Sequence, residues 1–359
     1  MIENIHNTLS KARLLGVLSE IEDGVYYIHK PDGHDVLYIE PKVSKLKYKS
    51  LTDAIRFKTN IPYYEQWCNH LNVLGGSGLT TTENLFNDVS MDVLDLTEFD
   101  TSNVENMIGM FCEATIGKII FGNFNTHNAK YMQDMFAGCD SDNLDLSSFD
   151  TSNVKTMSGM FTEYKYEKLD TSNFCTKNVI DMDGMFSTCS IKNLDLRHFD
   201  TSNVVSMRDM FMYCSAETID VSSFDTSNVT NMRSMFYNVK LDKLDLSDFN
   251  TSKVYTMKEM FTDSTINELD ISSFDTSRVE SFSRMFCSFT TSKLDVSHFS
   301  VARLNSEDGL VQMFDGIDAD YVQLGYFGKR TMSKAIVSNM YGNYIRNMYI
   351  DDTELRDDR

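Results

Sequence analysis

Residues 144–161 read LDLSSFDTSNVKTMSGMF, and this stretch holds the plan of most of the chain. Leu144, Leu146 and Phe149 begin with strand-like alternation. Asp150-Thr151-Ser152-Asn153 then supplies turn and helix-capping chemistry, and Val154, Met157, Met160 and Phe161 recur at helical spacing. The spacing predicts a strand, a turn and a short helix. Phe149 also belongs to a column that runs Phe99, Phe124, Phe149, Phe174, Phe199, Phe224, Phe249, Phe274 and Phe299, 25 residues apart, without insertion or deletion. A fixed period of this size identifies a solenoid, in which each unit buries its apolar face only by stacking on its neighbours. The fold expected is an α/β solenoid, leucine-rich-repeat-like, of about ten coils.

Reading the repeats as columns separates inside from outside. Met107 to Met257 form one column, Met110 to Met285 a second and Phe111 to Phe286 a third, so 15 of the 22 methionines fall in two stripes. Methionine and phenylalanine alternating at that spacing read as core packing rather than as a metal or cofactor box. Moving back by 25 places Leu71 under Leu96, Leu74 under Phe99 and Leu85-Phe86 under Met110-Phe111, a degenerate first coil. At the other end Met313-Phe314 arrive three residues late, which marks a distorted last coil.

Three regions follow: 1–68, a small N-terminal α+β region; 69–314, the solenoid; and 315–359, a C-terminal cap with an acidic tail. The first contains all three prolines (Pro31, Pro41, Pro62), a helical stretch near Ile5–Glu20, and a hairpin in which 25–28 and 36–39 flank Pro31-Asp32-Gly33. The last reads as a strand around Tyr321–Tyr326, a helix around Ser333–Tyr349 and the tail DDTELRDDR.

A formal net charge of −20 argues against phosphate backbones and anionic membranes as partners. No apolar run approaches the roughly 18 residues of a membrane span, and the N-terminus lacks the basic start and apolar core of a secretory signal. The expected location is cytoplasmic or virion-associated, with the cell surface reached only by a non-classical route. Seven cysteines include Cys139, Cys189 and Cys214 in one column with Ala114 and Val239, the behaviour of a small buried hydrophobe. Cys189 and Cys214 fall on adjacent coils, where a disulfide is geometrically conceivable.

The order Leu-Asp-Leu, Phe-Asp-Thr-Ser-Asn-Val, Met-Phe resembles the bacterial BspA-like leucine-rich repeats, in the 25-residue class of mycoplasma and lactic-acid-bacterial surface lipoproteins, over roughly residues 91–311. The resemblance implies a non-enzymatic surface or adhesion protein that binds host proteins or other cells. It implies no catalytic residues and no cofactor.

No catalytic or metal motif stands out in the residues themselves. The seven histidines are scattered; His29 and His34 flank the hairpin turn near Asp32 and Asp35, where solvated turn residues outweigh a metal site. What the repeats offer is a surface of columns. Asp95, Asp145, Asp170, Asp195, Asp220, Asp245, Asp270 and Asp295 form an acidic one, interrupted only by Ile120, with carboxylates expected about 4.8 Å apart. Lys118, Lys168, Lys243 and Lys293 stand two residues earlier, with serines or threonines mostly two later, as cross-strand partners. Three readings stand for this column: a ladder that sets coil register, a ligand-facing acidic stripe and, as a minor one, divalent cation binding. Thr101 to Thr276 form a threonine column that fits capping and side-chain bonds to the next coil's backbone.

Tyr131, Tyr213, Tyr237 and Tyr255 break the repeat pattern and are the candidate partner-binding residues. The leading functional expectation is a scaffold recognising a protein partner through its repeat surface, in adhesion or as part of a particle such as a phage virion. The alternative is an acidic DNA-mimicking inhibitor of a nucleic-acid-binding or defence enzyme. An enzyme confined to residues 1–68 is a third reading, opposed by the shortness of that segment and its lack of a nucleophile, base or metal cluster.

Overall fold

The computed structural model describes residues 18–30, 34–46, 68–141, 144–304, 307–325 and 344–350. The chain forms two compact units, Met1–Lys155 and Thr156–Arg359. In the first, β1 (Leu18–Glu22), β2 (Val25–Ile28), β3 (His34–Ile39), β4 (Cys68–Gly75), β5 (Ser90–Phe99) and β6 (Thr115–Ile120) form one sheet in that order. β1, β2 and β3 pair antiparallel; from β3 onward every pair is parallel. The hairpin read from the sequence is present, with Val25 opposite Ile39 and Ile28 opposite Val36.

In the second unit β7 (Asn193–Asp195) pairs with β8 (Thr218–Asp220), and β9 (Lys240–Asp245), β10 (Thr265–Asp270), β11 (Thr290–Val296), β12 (Asp318–Leu324) and β13 (Tyr344–Ile350) form a five-stranded parallel sheet. The helix expected near Ile5–Glu20 lies outside the described residues as far as residue 17, and Leu18–Glu20 belong to β1. The helix expected around Ser333–Tyr349 is corrected at its end, because Tyr344–Ile350 is strand; residues 333–343 lie outside the described residues.

The larger correction concerns the repeat itself. Each unit is a β-solenoid of 25-residue coils, not an α/β solenoid with a helix per coil: among the described residues there is no α-helix, and the one helical segment is a 3-10 turn at Glu307–Leu310. The segment expected to be helical is a ladder of turns. In the coil from Thr101, the N–H groups of Met107, Gly109, Phe111 and Glu113 donate to the carbonyls of Tyr131, Gln133, Met135 and Ala137 on the next coil, at 2.7–2.9 Å. The alternate N–H groups turn inward: Met110 bonds Met107, Cys112 bonds Gly109 and Ala114 bonds Phe111.

Successive three-residue turns place i and i+3 on one face, as a helix does, so the methionine spacing cannot distinguish the two. The backbone can. Gly109 and Glu113 have φ of 58° and 56°, and the same two positions are left-handed in later coils: Asp134 and Gly138, Gly159 and Glu163, Gly184 and Thr188, Asp209 and Tyr213. Left-handed residues at this frequency exclude an α-helix.

The core is built from the columns read in the sequence. All nine Phe99-to-Phe299 rings, both methionine stripes and the Phe111-to-Phe286 column are buried. In the second unit Phe161, Phe186, Phe211, Phe236, Phe261, Phe286 and Phe314 stack ring on ring with centroids 5.4–6.0 Å apart. Phe314 keeps its place although it arrives three residues late. Stacked pairs contribute about 0.5–1.5 kcal/mol beyond area burial. At the first coil the 25-residue shift is slightly off: Leu71 faces Leu94 rather than Leu96, and a register irregularity between Asn72 and Leu74 follows. By Phe86 the period is restored, with its ring 5.6 Å from Phe111.

Candidate functional site

Every coil turns at corners made by short side chains that accept the N–H two residues on, the Asx and Ser/Thr turns of short polar residues. At the second corner Asp100, Asp150, Asp200, Asp225 and Asp275 accept from Ser102, Ser152, Ser202, Ser227 and Ser277 at 2.9–3.1 Å. At the third, Asn106, Asp181 and Asn231 do the same for Ile108, Asp183 and Arg233.

The acidic column is the first corner. Asp95, Asp145, Asp170, Asp195, Asp220, Asp245, Asp270 and Asp295 each accept the N–H of the residue two ahead in their own coil, at 2.9–3.1 Å. The expected cross-strand partners are thus partners within the coil: the Ser222, Ser247 and Ser297 hydroxyls bond the same carboxylates at 2.7 Å, and Arg197 grips Asp195 through Nε and Nη2. Asp195 is held well below the usual carboxylate range, first by Arg197; Asp170 and Asp245 are lowered first by the serines at 172 and 247.

Side-chain bonds between coils run instead through an asparagine column, in which Asn103, Asn128, Asn153, Asn203 and Asn228 donate Nδ2 to carbonyls of the preceding coil, and through the threonine column. Thr101 Oγ1 donates to the Asn125 carbonyl and accepts the Asn125 N–H; Thr226 does both with Asn250; Thr176, Thr201 and Thr251 donate to Asp200, Asp225 and Asp275. All eight threonines are buried, and none caps a helix.

The four tyrosines do not form one cluster. Tyr131 is exposed and bridges Asn106 in the first unit. Tyr213 and Tyr237 meet, ring centroids 5.1 Å apart, and the Tyr237 hydroxyl donates to Asp263 Oδ2 at 2.8 Å; this bond, then burial, pushes the Tyr237 phenol up. Tyr213 is 45% exposed with φ of 56°, a conformation costly to a residue with a bulky side chain.

Tyr255 stands elsewhere, in a column that single substitutions do not reveal. Its members are Glu105, Lys130, Lys155, Ile180, Val205, Thr230, Tyr255 and Glu280. In the second unit the N–H of Val205 bonds Ile180, Thr230 bonds Val205, Tyr255 bonds Thr230 and Glu280 bonds Tyr255, all at 2.8–2.9 Å, so these residues are direct neighbours. Ile180 is 51% exposed, Val205 45% and Tyr255 46%. In the second unit the column therefore presents Ile180, Val205 and Tyr255, with Thr230 among them, as a ridge that ends at Glu280, whereas its members in the first unit are charged. The sequence carries its signal as the run Ile-Val-Thr-Tyr at a period of 25.

Other polar clusters bring no further chemistry together. Asp35, expected to be solvated, is buried, accepting from the Tyr27 hydroxyl and the Lys30 N–H, with His29 Nδ1 at 3.1 Å; Asp32 lies outside the described residues. A hollow of about 510 Å³ over β10 and β11 is lined by Lys243, Glu268, Asp270, Lys293, Asp295 and His298 among others, cations beside carboxylates. No group of three or more metal-ligating side chains converges among the described residues. No described helix is long and apolar enough to cross a membrane.

No curated protein and no solved structure matches the chain. One family does, described as "Mycoplasma protein of unknown function, DUF285", over residues 80–192, 163–243 and 212–323. These three overlapping matches cover the solenoid coils whose corners, threonine ladder and ridge are described above, about two thirds of the chain. The chain belongs to the DUF285 family.

Proposed function

We propose that the protein is a non-enzymatic scaffold that recognises a protein partner through its repeat surface, with the ridge Ile180–Val205–Thr230–Tyr255 as the contact. One observation carries this: large apolar side chains stand exposed in a single column on stacked coils, where the same column elsewhere holds Glu105, Lys130, Lys155 and Glu280. Apolar and aromatic side chains presented on a rigid surface are the usual anchors of protein interfaces. The resemblance to BspA-like repeats supports recognition of the adhesion type, and a particle-borne role such as a virion component is the variant of the same reading.

The acidic DNA-mimic reading is weaker on this surface. Its carboxylates are occupied as corner acceptors, Arg197 neutralises Asp195, and Lys243 and Lys293 face Glu268 in register. The test compares capture of partners from native cells by the wild type and by the variant Ile180→Lys/Val205→Lys/Tyr255→Lys, then remeasures binding with the purified captured protein. Loss of binding in the ridge variant, with Asp195→Asn/Asp220→Asn/Asp245→Asn unaffected, is expected. The reverse pattern, salt-sensitive, would place recognition on the acidic column.

A further inference from the structure

Cysteine is spread through the fold, yet one pair of thiols is in contact. Cys189 and Cys214 are both buried, and their sulfurs lie 3.1 Å apart. They hold the same position on adjacent coils, which are tied on both sides of the pair: the Thr188 N–H bonds the Met212 carbonyl at 2.6 Å and the Ser215 N–H bonds the Cys189 carbonyl at 2.8 Å. The same column holds Ala114, Tyr164, Val239 and Ser264 in other coils, so packing alone does not require two sulfurs. Cys139, in the same column, sits between Ala114 and Tyr164 in sequence register and serves as an internal contrast. Burial pushes its thiol up to about 12, which keeps it protonated.

We propose that Cys189 and Cys214 are an oxidation site at which a peroxide or an equivalent two-electron oxidant closes a disulfide between two coils. The coils it locks are those that present Ile180 and Val205, although the inference stands on the thiol geometry and is independent of the partner reading. Closing the bond moves the sulfurs together by about 1 Å, to the roughly 2.05 Å of a disulfide, while the coils are already hydrogen-bonded in register. The two sulfurs share a hydrogen bond, which draws Cys189 toward the thiolate that performs the attack.

With hydrogen peroxide as oxidant, the Cys189 sulfur attacks one oxygen, the O–O bond breaks, and water leaves once the departing oxygen takes a proton; Cys189 becomes a sulfenic acid. The Cys214 sulfur then attacks the Cys189 sulfur, displaces the hydroxyl as a second water, and the S–S bond forms. Two thiols are oxidised and one peroxide is reduced to two waters.

The experiment treats the full chain with stoichiometric hydrogen peroxide, blocks residual thiols in denaturant, and maps non-reduced peptides by mass spectrometry. The expected result is one intramolecular link, Cys189 to Cys214, with a mass loss of about 2 Da, a thiol count lower by two, and a raised Tm that dithiothreitol reverses. Cys189→Ala, which repeats the alanine that the column already tolerates at Ala114, should fold, form no link and show no reversible Tm shift. A link through the exposed Cys175, a sulfinic acid at Cys189 without a link, or seven thiols still free after treatment would each overturn the proposal.

Discussion

At the residue scale, the left-handed positions decide between two folds that share one hydrophobic pattern. Thr188 is exposed, β-branched and at φ of 57°. Left-handed conformation costs an L-residue about 1–2 kcal/mol, and glycine avoids it. Thr188→Gly should therefore stabilise the protein by about 1 kcal/mol in urea melts, net of glycine's extra chain entropy. In a helix the same change would destabilise by roughly 0.3 kcal/mol, so the sign of the shift is diagnostic. Phe211 tests the core: buried and stacked on Phe186 at 6.0 Å and Phe236 at 5.4 Å, it should cost about 3–5 kcal/mol on replacement by alanine. A melt like that of the wild type would mean that inside and outside are reversed.

At the scale of the coil, register and turning are separate tasks given to separate columns. Thr226 is buried and serves both the N–H and the carbonyl of Asn250, so Thr226→Val should cost about 1–3 kcal/mol by stranding those groups. Asp195→Asn/Asp220→Asn/Asp245→Asn should cost less than Thr226→Val, because asparagine still accepts the corner N–H and only the charge-assisted part of each exposed bond is lost. If the aspartate triple proves the costlier, register lies in the acidic column after all.

Acid should act on the same corners. Asp150 is held down to about 2, first by Ser152 and then by His127, and Asp170, Asp200, Asp225, Asp245 and Asp275 are shifted downward by their serine donors. Their folded-state values lie below the unfolded value of about 3.9, so their contribution is full above about pH 4 and fades as pH falls toward 2. Asp134 and Asp183, raised by burial, act in the opposite sense but are fewer. Thermal melts should fall through this window; a Tm flat from pH 5 to pH 2.5 would contradict it.

Much of this is readable in the sequence, and what is not has one physical origin. The core columns, the hairpin at 25–39, the parallel strands and the threonine bonds to the next coil follow from side-chain type and a period of 25. The turn ladder does not, because Met157, Met160 and Phe161 share a face in either geometry. The discriminating residues are Gly109, Gly138, Gly159 and Gly184, whose column mates are mostly short polar residues suited to positive φ. On the candidate surface, the tyrosines stand out as single substitutions, and two of them meet. The ridge does not stand out, because Ile180 and Val205 look ordinary one coil at a time and gain meaning only when stacked.

At the scale of the whole molecule, the DUF285 match and the two solenoid units make the chain a repeat protein whose stability is set coil by coil. Within each unit, coils are tied to one another by backbone bonds on the sheet side, by threonines at a corner, and by alternate amides along the turn ladder. The last of these is the feature most foreign to a strand-and-helix repeat. It is tested directly by through-hydrogen-bond scalar couplings and backbone shifts at residues 207–213 in perdeuterated, isotope-labelled protein. The account predicts that the Phe211 amide couples to the Met235 carbonyl, 24 residues ahead, with Asp209 and Tyr213 left-handed. Coupling of the Phe211 amide to the Met207 carbonyl, with every residue right-handed, would restore the helix and contradict the β-solenoid.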